Sequence, residues 1–302
     1  MRQNRLSLKA PAKINLFLKV LGRRPDGYHL LETCMHKVSL YDEIELISCA
    51  EGIRLHCFGG GGIPENRDNL VCRAAELFFQ ATQGRRCGTD CGVTIGLTKR
   101  IPVAAGLGGG SSDAAATLLG LNELFACGCS ADELIALGLR LGADVPFFLA
   151  DAPAALATGI GEVLQPVAPL HGYSVLMVNP GFPVSTRWVY QSFSLTKKGN
   201  ANKLESLKEG IVEGCALDFP VLAGSPPMVL LNDLETVTVA KYPELARLRD
   251  KLLHNGASAA LMSGSGPTVF GLFTEERCAE ACYALLKRHY SHTYLVAPIG
   301  EK

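Results

Sequence analysis

The chain has 302 residues, of which 48% are hydrophobic and 19% are charged, so a large apolar core is available and extensive disorder is excluded. Lys plus Arg and Asp plus Glu number 29 each, and this balance argues against nucleic acid as the main partner. Because there is neither an apolar run near the roughly 20 residues that span a bilayer nor an apolar leader, we expect a soluble, cytoplasmic protein that binds no membrane.

In the first third of the chain, alternating apolar positions predict strands across residues 6–58, interrupted by a turn at the sequence PDG of residues 25–27. The sequence DNLVCRAAELFFQATQG then predicts a helix. Asp68 or Asn69 is available as its N-cap, and Gly84 as its stop.

The segment CGVTIGLTKRIP predicts a further strand, and a glycine-rich stretch leads from it into a helix over residues 111–126. SADELIALGLRLG predicts a second helix that begins at Ser130. Later segments predict strands at AALATGIGEVLQPV, YSVLMVNPG and on both sides of the loop in ASAALMSGSGPTVFGLF. Helices are predicted at VSTRWVYQSF, YPELARLRDKLLHNG and EERCAEACYALLKRHY. The order is that of an α+β protein with a division near residue 155.

The 11 cysteines include no C-x-x-C pair. Cys278 and Cys282 are four residues apart in a predicted helix, so they share one face and offer two metal ligands. No second pair accompanies them, and we assign no metal-ligating residue. Reduced, mostly buried thiols are the better interpretation.

The glycine-rich stretch supports two interpretations. Its backbone N–H groups and the following helix N-terminus have the chemistry of a phosphate cradle, for which glycine permits close approach and positive φ. A tight turn between strand and helix explains the same glycines. Two familiar phosphate motifs do not fit: the P-loop requires a lysine after the glycines, and the dinucleotide fingerprint requires glycine where Ser111 stands.

Two further polar positions stand within apolar segments. Lys13 and Asn15 alternate along one predicted strand and so face the same side. Asp144 lies in LGADVPFFL, between a predicted helix and a proline turn. Each has an ordinary interpretation, a strand lysine with its ammonium in solvent and an aspartate in a cap or turn. If the fold brings Lys13 beside Asp144, the ammonium can stabilise an alkoxide while the carboxylate accepts a proton.

Taken together, these segments resemble the GHMP kinases, the superfamily of galactokinase, homoserine kinase, mevalonate kinase and phosphomevalonate kinase. PVAAGLGGGSSDAAATL, which begins at Pro102, resembles the ATP-binding motif of that family, and SGSGPTVFGLF its C-terminal glycine motif. The resemblance implies two domains: a strand-rich, ATP-binding domain over residues 1–155 and an α+β domain over residues 156–302. It places the active site in the cleft between them.

The resemblance also implies roles for single residues. Lys13 and Asp144 match the catalytic pair, and Asn69 and Lys99 match positions that contact the nucleoside of ATP. The loop around the ATP phosphates is matched by Gly106, Leu107, Gly108, Gly109, Gly110, Ser111 and Ser112. Mg²⁺ is expected as a second cofactor, held by Ser111 or Ser112 together with phosphates and water.

PAKINLFLKVLGRRPDGYHLLET and LGADVPFFL resemble the branch of the family that phosphorylates the 2-hydroxyl of a methylerythritol linked to cytidine diphosphate, in the non-mevalonate isoprenoid pathway. Tyr28 and His29 match residues that hold cytosine. Tyr190 matches a second aromatic on the base, although Trp188 stands two residues away. Further substrate-binding positions are matched by Asn15, Asp144 and Thr186.

Three rival functions stay open. A kinase of homoserine or a mevalonate derivative is disfavoured because neither substrate carries a nucleobase for the PDGYHLLET turn. A silent nucleotide-binding regulator predicts loss of Lys13 or Asp144, and both are present. An RNA-binding protein is disfavoured by the zero net charge. We expect a monomer or weak homodimer with a small-molecule cytidine diphosphate substrate.

Overall fold

The computed structural model describes residues 4–83, 92–193, 216–220 and 227–300. These residues form two compact units that interleave along the chain. The first takes the described parts of 1–13, 37–103 and 107–153, and the second those of 14–36, 104–106 and 154–302. The proposed stop at Gly84 and most of residues 195–227 lie outside the described residues.

The described residues contain thirteen strands and eight helices. The strands are β1 (Arg5–Arg23), β2 (His29–Cys49), β3 (Ile53–Phe58), β4 (Gly92–Thr98), β5 (Ala154–Thr158), β6 (Val163–Pro166), β7 (Ser174–Asn179), β8 (Ala216–Pro220), β9 (Pro227–Val229), β10 (Leu231–Asn232), β11 (Ala259–Met262), β12 (Val269–Phe273) and β13 (His292–Val296). The helices are α1 (Leu70–Ala81), α2 (Gly109–Leu124), α3 (Ala131–Leu141), α4 (Val145–Leu149), α5 (Thr186–Ser192), α6 (Glu235–Lys241), α7 (Glu244–His254) and α8 (Glu276–Leu286).

The first unit packs four helices together beside a strand layer. The C-terminal part of β2 pairs antiparallel with β4, which pairs in parallel with β3. Helix α2 packs against α1 and α4, and α3 packs against α4. Fully buried Phe78, Ile95 and Phe147 are among the largest side chains of this unit's interior. These contacts bury α2, whose first turn carries the glycine and serine residues.

The second unit is built on an antiparallel sheet in the order β11–β12–β7–β13. Helix α7 packs on β11 and β12, and α8 packs on β7 and β13. The N-terminal part of β2 pairs with β5, and β10 pairs in parallel with β1. Buried Leu176, Leu248, Phe273 and Leu286 belong to its apolar core.

Several helix starts follow from their capping residues. Asn69 rather than Asp68 caps α1, because its side chain accepts a hydrogen bond from the N–H of Val71. Ser130 and Glu133 form a reciprocal capping box at the start of α3. Both starts confirm the sequence-based expectation.

Helix α2 begins at Gly109, two residues before the predicted start. Gly108 takes a left-handed conformation with φ +70°, and its carbonyl accepts the N–H of Ser112 at 2.9 Å. The last glycines of the loop therefore form the first turn of the helix. This correction matters because the N–H groups of a first turn have no partner within the helix and are available to an anion.

Three smaller features complete the fold. Asp144 is followed by the short helix α4, where the sequence predicted only a proline turn. Within the described part of the chain, no helix is long and apolar enough to cross a bilayer. No group of three His, Cys, Asp or Glu residues suited to a metal ion occurs among the described residues, including the surroundings of Cys278 and Cys282 on α8.

Candidate active site

Lys13 and Asp144 come together in the first unit. The Nζ atom of Lys13 lies 3.8 Å from Oδ2 of Asp144, with the lysine side chain 6% exposed and the aspartate side chain 39% exposed. Burial lowers the pKa of Lys13, and the negative charge of Asp144 opposes part of that shift. The interpretation of Lys13 as a strand lysine with its ammonium in solvent is therefore wrong.

The Asp144 carboxylate is not used as a helix cap. The residue occupies the N-cap position of α4, yet its side chain makes no capping hydrogen bond. Phe147 and Phe148 of that helix are buried, so packing fixes the backbone from which Asp144 projects. An anchored backbone with a partly exposed carboxylate suits a group that meets a substrate.

Gly108 brings the glycine loop onto the Lys13 side chain. The N–H of Lys13 donates to the carbonyl of Leu107 at 2.9 Å. A Cβ atom at Gly108 would lie 3.0 Å from Cγ of Lys13 and 2.9 Å from Cζ of Phe148, at a backbone φ of +70°. Both the conformation and the lack of space require glycine here. Packing and hydrogen bonding therefore fix the conformation of this part of the loop.

The beginning of the loop is held within the second unit by the segment between β11 and β12. The hydroxyl of Ser263 donates to the carbonyl of Gly106 at 3.0 Å, and the N–H of Thr268 donates to the carbonyl of Ala105 at 3.3 Å. A Cβ atom at Gly106 would lie 2.1 Å from the carbonyl oxygen of Ser263. The two glycine motifs of the sequence are thus in direct contact.

Lys99 lies in a buried ion cluster with Asp42 and Asp113. Its Nζ donates to Oδ2 of Asp42 and, at 2.7 Å, to Oδ2 of Asp113, and the three side chains are at most 5% exposed. Burial raises the pKa of Asp113 to about 7, and the positive charge of Lys99 works against that shift. The described contacts of the Lys99 ammonium are therefore with these two carboxylates.

The other positions proposed for ATP differ in what they offer. The Asn69 side chain caps α1 through Oδ1 and donates from Nδ2 to the carbonyl of Pro64 at 2.9 Å. Pro102 and Ser111 are half-buried. The Ser112 hydroxyl is buried and has no hydrogen-bond partner among the described residues. It is thus a buried side-chain oxygen in the first turn for which the described residues supply no partner.

Asn15 is held in the second unit by two hydroxyl side chains. Its Nδ2 donates to Oγ1 of Thr33 at 2.8 Å, and its N–H donates to Oγ of Ser263 at 3.3 Å. Thr33 in turn donates to the carbonyl of Phe17 at 2.6 Å. Ser263 is therefore shared between Asn15 and the carbonyl of Gly106.

The residues proposed to hold a base also lie in the second unit. The rings of His29 and Tyr190 have centroids 5.3 Å apart with planes inclined by 30°. Tyr28 is 61% exposed. Trp188 instead packs edge-on to Tyr242, so Tyr190 is the aromatic of α5 that lies beside His29.

Two more features bear on base recognition. Burial lowers the pKa of His29, and the positive charge of Arg23 lowers it further. A neutral imidazole has one donor and one acceptor nitrogen for the edge of a base. Thr186, at the start of the same helix as Tyr190, shares a 2.9 Å hydrogen bond with Ser265.

Sequence reasoning missed Asp42, Asp113, Thr33 and Ser263 as parts of these arrangements. Ser263 stands in the C-terminal glycine motif, which the sequence pointed out without assigning any of its side chains. Asp113 stands in the N-terminal motif, where it was the nearest acid to the glycines. Asp42 and Thr33 carry no local signal, because they act through partners 57 and 18 residues away.

The first unit combines a helix that begins with glycines, α2, with the buried Lys13 ammonium beside the partly exposed Asp144 carboxylate. This combination suits transfer of an anionic group to a hydroxyl. Comparison with known proteins gives the class. The family described as GHMP kinases N terminal domain matches residues 69–157, and the one described as GHMP kinases C terminal matches residues 201–292.

Relatives narrow the class further. The 4-diphosphocytidyl-2-C-methyl-D-erythritol kinase of Geobacter metallireducens is 47% identical over 272 residues, 90% of each chain. That of Syntrophotalea carbinolica is 45% identical over 298 residues, 98% of this chain and 99% of its own. The chain therefore belongs to the 4-diphosphocytidyl-2-C-methyl-D-erythritol kinase family of GHMP kinases.

Solved structures agree with this assignment. A crystal structure of 4-(cytidine 5'-diphospho)-2C-methyl-D-erythritol kinase matches with a TM-score of 0.77 and 35% identity, covering 98% of this chain and 100% of that chain. A homoserine kinase from Cytophaga hutchinsonii matches with a TM-score of 0.74 at 17% identity, covering 100% of this chain and 97% of that chain. The second likeness concerns the fold alone.

Proposed function

We propose that this chain transfers the γ-phosphoryl group of ATP to the 2-hydroxyl of 4-diphosphocytidyl-2-C-methyl-D-erythritol, in the non-mevalonate pathway to isoprenoid precursors. Family membership supports the reaction and the acceptor. The observation that carries the chemistry is the buried Lys13 ammonium 3.8 Å from the Asp144 carboxylate. This pair provides the charge and the proton acceptor that an alcohol nucleophile requires.

In the proposed mechanism, Asp144 receives the acceptor hydroxyl and takes its proton on a carboxylate oxygen. Lys13, whose ammonium is shielded from water, stabilises the negative charge that develops on the hydroxyl oxygen. Burial strengthens this interaction because the local dielectric is low. Asn15, two residues along the same strand and fixed by Thr33, orients the acceptor near the reacting oxygen.

The loop and the first turn of α2 are proposed to hold the triphosphate. Residues 106–112 supply backbone N–H groups and the positive end of a 16-residue helix. When bound, ATP would supply the phosphoryl group and Mg²⁺ would neutralise part of the phosphate charge. The buried hydroxyl of Ser112, which has no partner in the part of the chain that the structure describes, fits an oxygen ligand for Mg²⁺ or a donor to a phosphate. Ser111 offers a second hydroxyl. We place the nucleoside near Asn69 and Lys99, with Pro102 at the entry to the loop.

The second unit is proposed to recognise the cytidine diphosphate part of the acceptor. Tyr28 and Tyr190 present aromatic faces on which cytosine can stack, and a neutral His29 reaches its edge. Thr186 contributes a hydroxyl to the same pocket. The division into domains at residues 155 and 156, a cytoplasmic location and a monomeric or weakly dimeric state belong to this proposal.

The test is ADP release from MgATP with 4-diphosphocytidyl-2-C-methyl-D-erythritol as acceptor, with homoserine and mevalonate in parallel. We expect turnover with the cytidine compound alone. Asp144→Asn is expected to lower kcat by about 10²- to 10⁴-fold, the usual contribution of a general base. The matched control is Asp132→Asn, which changes an exposed aspartate on α3 and is expected to retain full activity.

Turnover of homoserine or mevalonate in place of the cytidine compound would contradict the proposed acceptor. An Asp144→Asn variant with wild-type kcat would contradict the role of that carboxylate and leave the acceptor standing. A folded protein that turns over none of the three acceptors would contradict the reaction itself.

A further inference from the structure

The ion cluster of Lys99, Asp42 and Asp113 connects the two ends of the glycine loop. Lys99 follows β4 and precedes the glycine loop. Asp113 follows the loop and stands near the start of α2. The Nζ of Lys99 lies 2.7 Å from Oδ2 of Asp113. One ammonium thus holds the chain before the glycines against the chain after them.

Asp42 fixes the first end through its other carboxylate oxygen. Oδ1 of Asp42 accepts the N–H of Arg100 at 2.6 Å and that of Ile101 at 2.9 Å, while Oδ2 accepts from Lys99. Asp42 belongs to β2, which pairs with β4 from Glu43↔Thr98 onward. The entry to the loop is therefore tied to the sheet by side-chain and backbone hydrogen bonds together.

The ammonium of Lys99 lies directly behind the first residue of α2. A Cβ atom at Gly109 would lie 3.2 Å from Nζ of Lys99 and 3.0 Å from Cγ2 of Ile101. The helix start thus rests on the ion cluster with no side chain between them. A movement of Lys99 or Ile101 would be transmitted to the backbone N–H groups of this turn.

The charge balance of the cluster is poor for stability alone. Two carboxylates share one ammonium, all three side chains are buried, and Oδ1 of Asp113 has no hydrogen-bond partner among the described residues. Apolar residues of similar volume often stabilise such a position as well as a buried ion pair does. What the ions add is a directional geometry that apolar packing does not specify.

We propose that the Asp42–Lys99–Asp113 cluster is a positioning device that sets the orientation of the phosphate-binding turn of α2. Lys99 then acts on the nucleotide through Asp113 and Gly109, by fixing the start of the helix rather than by a contact of its ammonium with the nucleoside. This inference rests on the proposed binding of ATP by residues 106–112. It refines the proposed role of Lys99 near the nucleoside, because its ammonium orients the first turn of α2.

The experiment uses Asp113→Ala in the full chain, because this change removes the carboxylate through which α2 binds Lys99. ADP binding is measured by calorimetry and needs no acceptor, so its outcome is separate from the identity of the acceptor. We expect weaker ADP binding and a fall in kcat/KM for ATP on the order of 10²-fold, the cost of misplacing a reacting group by about 1 Å. KM for the cytidine acceptor is expected to stay unchanged.

Lys99→Met and the double variant Lys99→Met/Asp113→Ala separate positioning from direct contact. Positioning predicts that the double variant binds ADP no more weakly than either single variant, because both changes break one interaction. Since the double variant leaves no unpaired ammonium and one carboxylate fewer, it also serves if a single variant fails to fold. Glu235→Gln, which breaks the partly buried ion pair with Arg249 on α7, is the control and is expected to bind ADP normally.

Two results would overturn the proposal. One is normal ADP binding by Asp113→Ala together with loss of binding by Lys99→Met, which would make Lys99 a direct nucleotide ligand. The other is a folded double variant with wild-type ADP affinity and kcat, which would make the cluster dispensable for positioning.

Discussion

His29 and Tyr190 lie side by side, with ring centroids 5.3 Å apart and planes inclined by 30°. These rings already contact each other, so a cytosine base does not fit between them. We propose instead that the base stacks on Tyr190 or Tyr28, with its edge toward His29.

The first prediction follows from this pairing. Tyr190→Ala is expected to raise KM for the cytidine acceptor by the equivalent of about 1–3 kcal/mol, the usual worth of one base–aromatic stack. KM for ATP is expected to stay constant. Trp188→Leu is the control, because that ring packs against Tyr242. Steady-state kinetics with both substrates varied decide the matter, and equal effects of the two variants on acceptor KM would contradict the assignment of Tyr190.

A second prediction concerns the charge on Lys13. Burial lowers the pKa of Lys13 in the folded state, while the unfolded chain keeps the ordinary value near 10.4. Between these two values the unfolded state binds more protons, so this lysine makes the protein more stable as pH rises through that window. Urea unfolding at several pH values from 7 to 10 is compared for the wild type and Lys13→Met. The free energy of unfolding of the wild type, relative to the variant, should increase with pH, and a decrease would contradict the burial of the ammonium.

A third prediction separates backbone strain from crowding in the glycine loop. Ala at Gly108 incurs about 1–2 kcal/mol for the left-handed conformation and also meets Lys13 and Phe148 at 3.0 Å or less. Gly52→Ala is the matched control, with φ +79° and no atom within 4 Å. Thermal unfolding should show a larger loss for Gly108→Ala, accompanied by loss of phosphoryl transfer. Equal losses of thermal stability in the two variants would show that a methyl group fits at Gly108 without a clash.

A fourth prediction concerns the buried thiols. Burial raises the pKa of Cys34 to about 12, so almost no thiolate exists at neutral pH and the sulfur should resist alkylation. Cys49 is half-exposed and offers a comparison within the same strand β2. Native protein treated with iodoacetamide at pH 8 and mapped by mass spectrometry should carry the label on Cys49 and lack it on Cys34. Early labelling of Cys34 would mean that β2 opens readily.

The features that sequence predicted well are local ones. The capping box at Ser130 and Glu133 involves residues three apart, and Asn69 caps α1 through a residue two positions away. The two glycine motifs were recognised from contiguous residues. The predicted start of α2 is two residues too late because local propensity disfavours glycine in a helix. The tertiary packing of Gly108 and Gly109 overrides that local preference.

The features that sequence did not predict are long-range. Asp42 meets Lys99 across 57 positions and Asn15 meets Ser263 across 248. An alternating pattern predicts which face of a strand a residue occupies, but it does not say which distant side chain covers that face. The alternating pattern therefore does not decide whether Lys13 is buried or exposed. In the structure both faces of the middle of β1 are covered, and Lys13 is buried.

The hydrogen bond from Ser263 to the carbonyl of Gly106 has a consequence for synthesis of the chain. The donor is 157 positions downstream of the acceptor, in a protein of 302 residues. Because the N-terminal part emerges from the ribosome first, a nascent chain that stops short of residue 263 has its glycines, Lys13 and Asp144 but lacks the group that holds Gly106. A recombinant fragment of residues 1–155 should likewise lack the hydrogen bond that holds the loop at Gly106. We therefore expect nucleotide binding to appear late in translation.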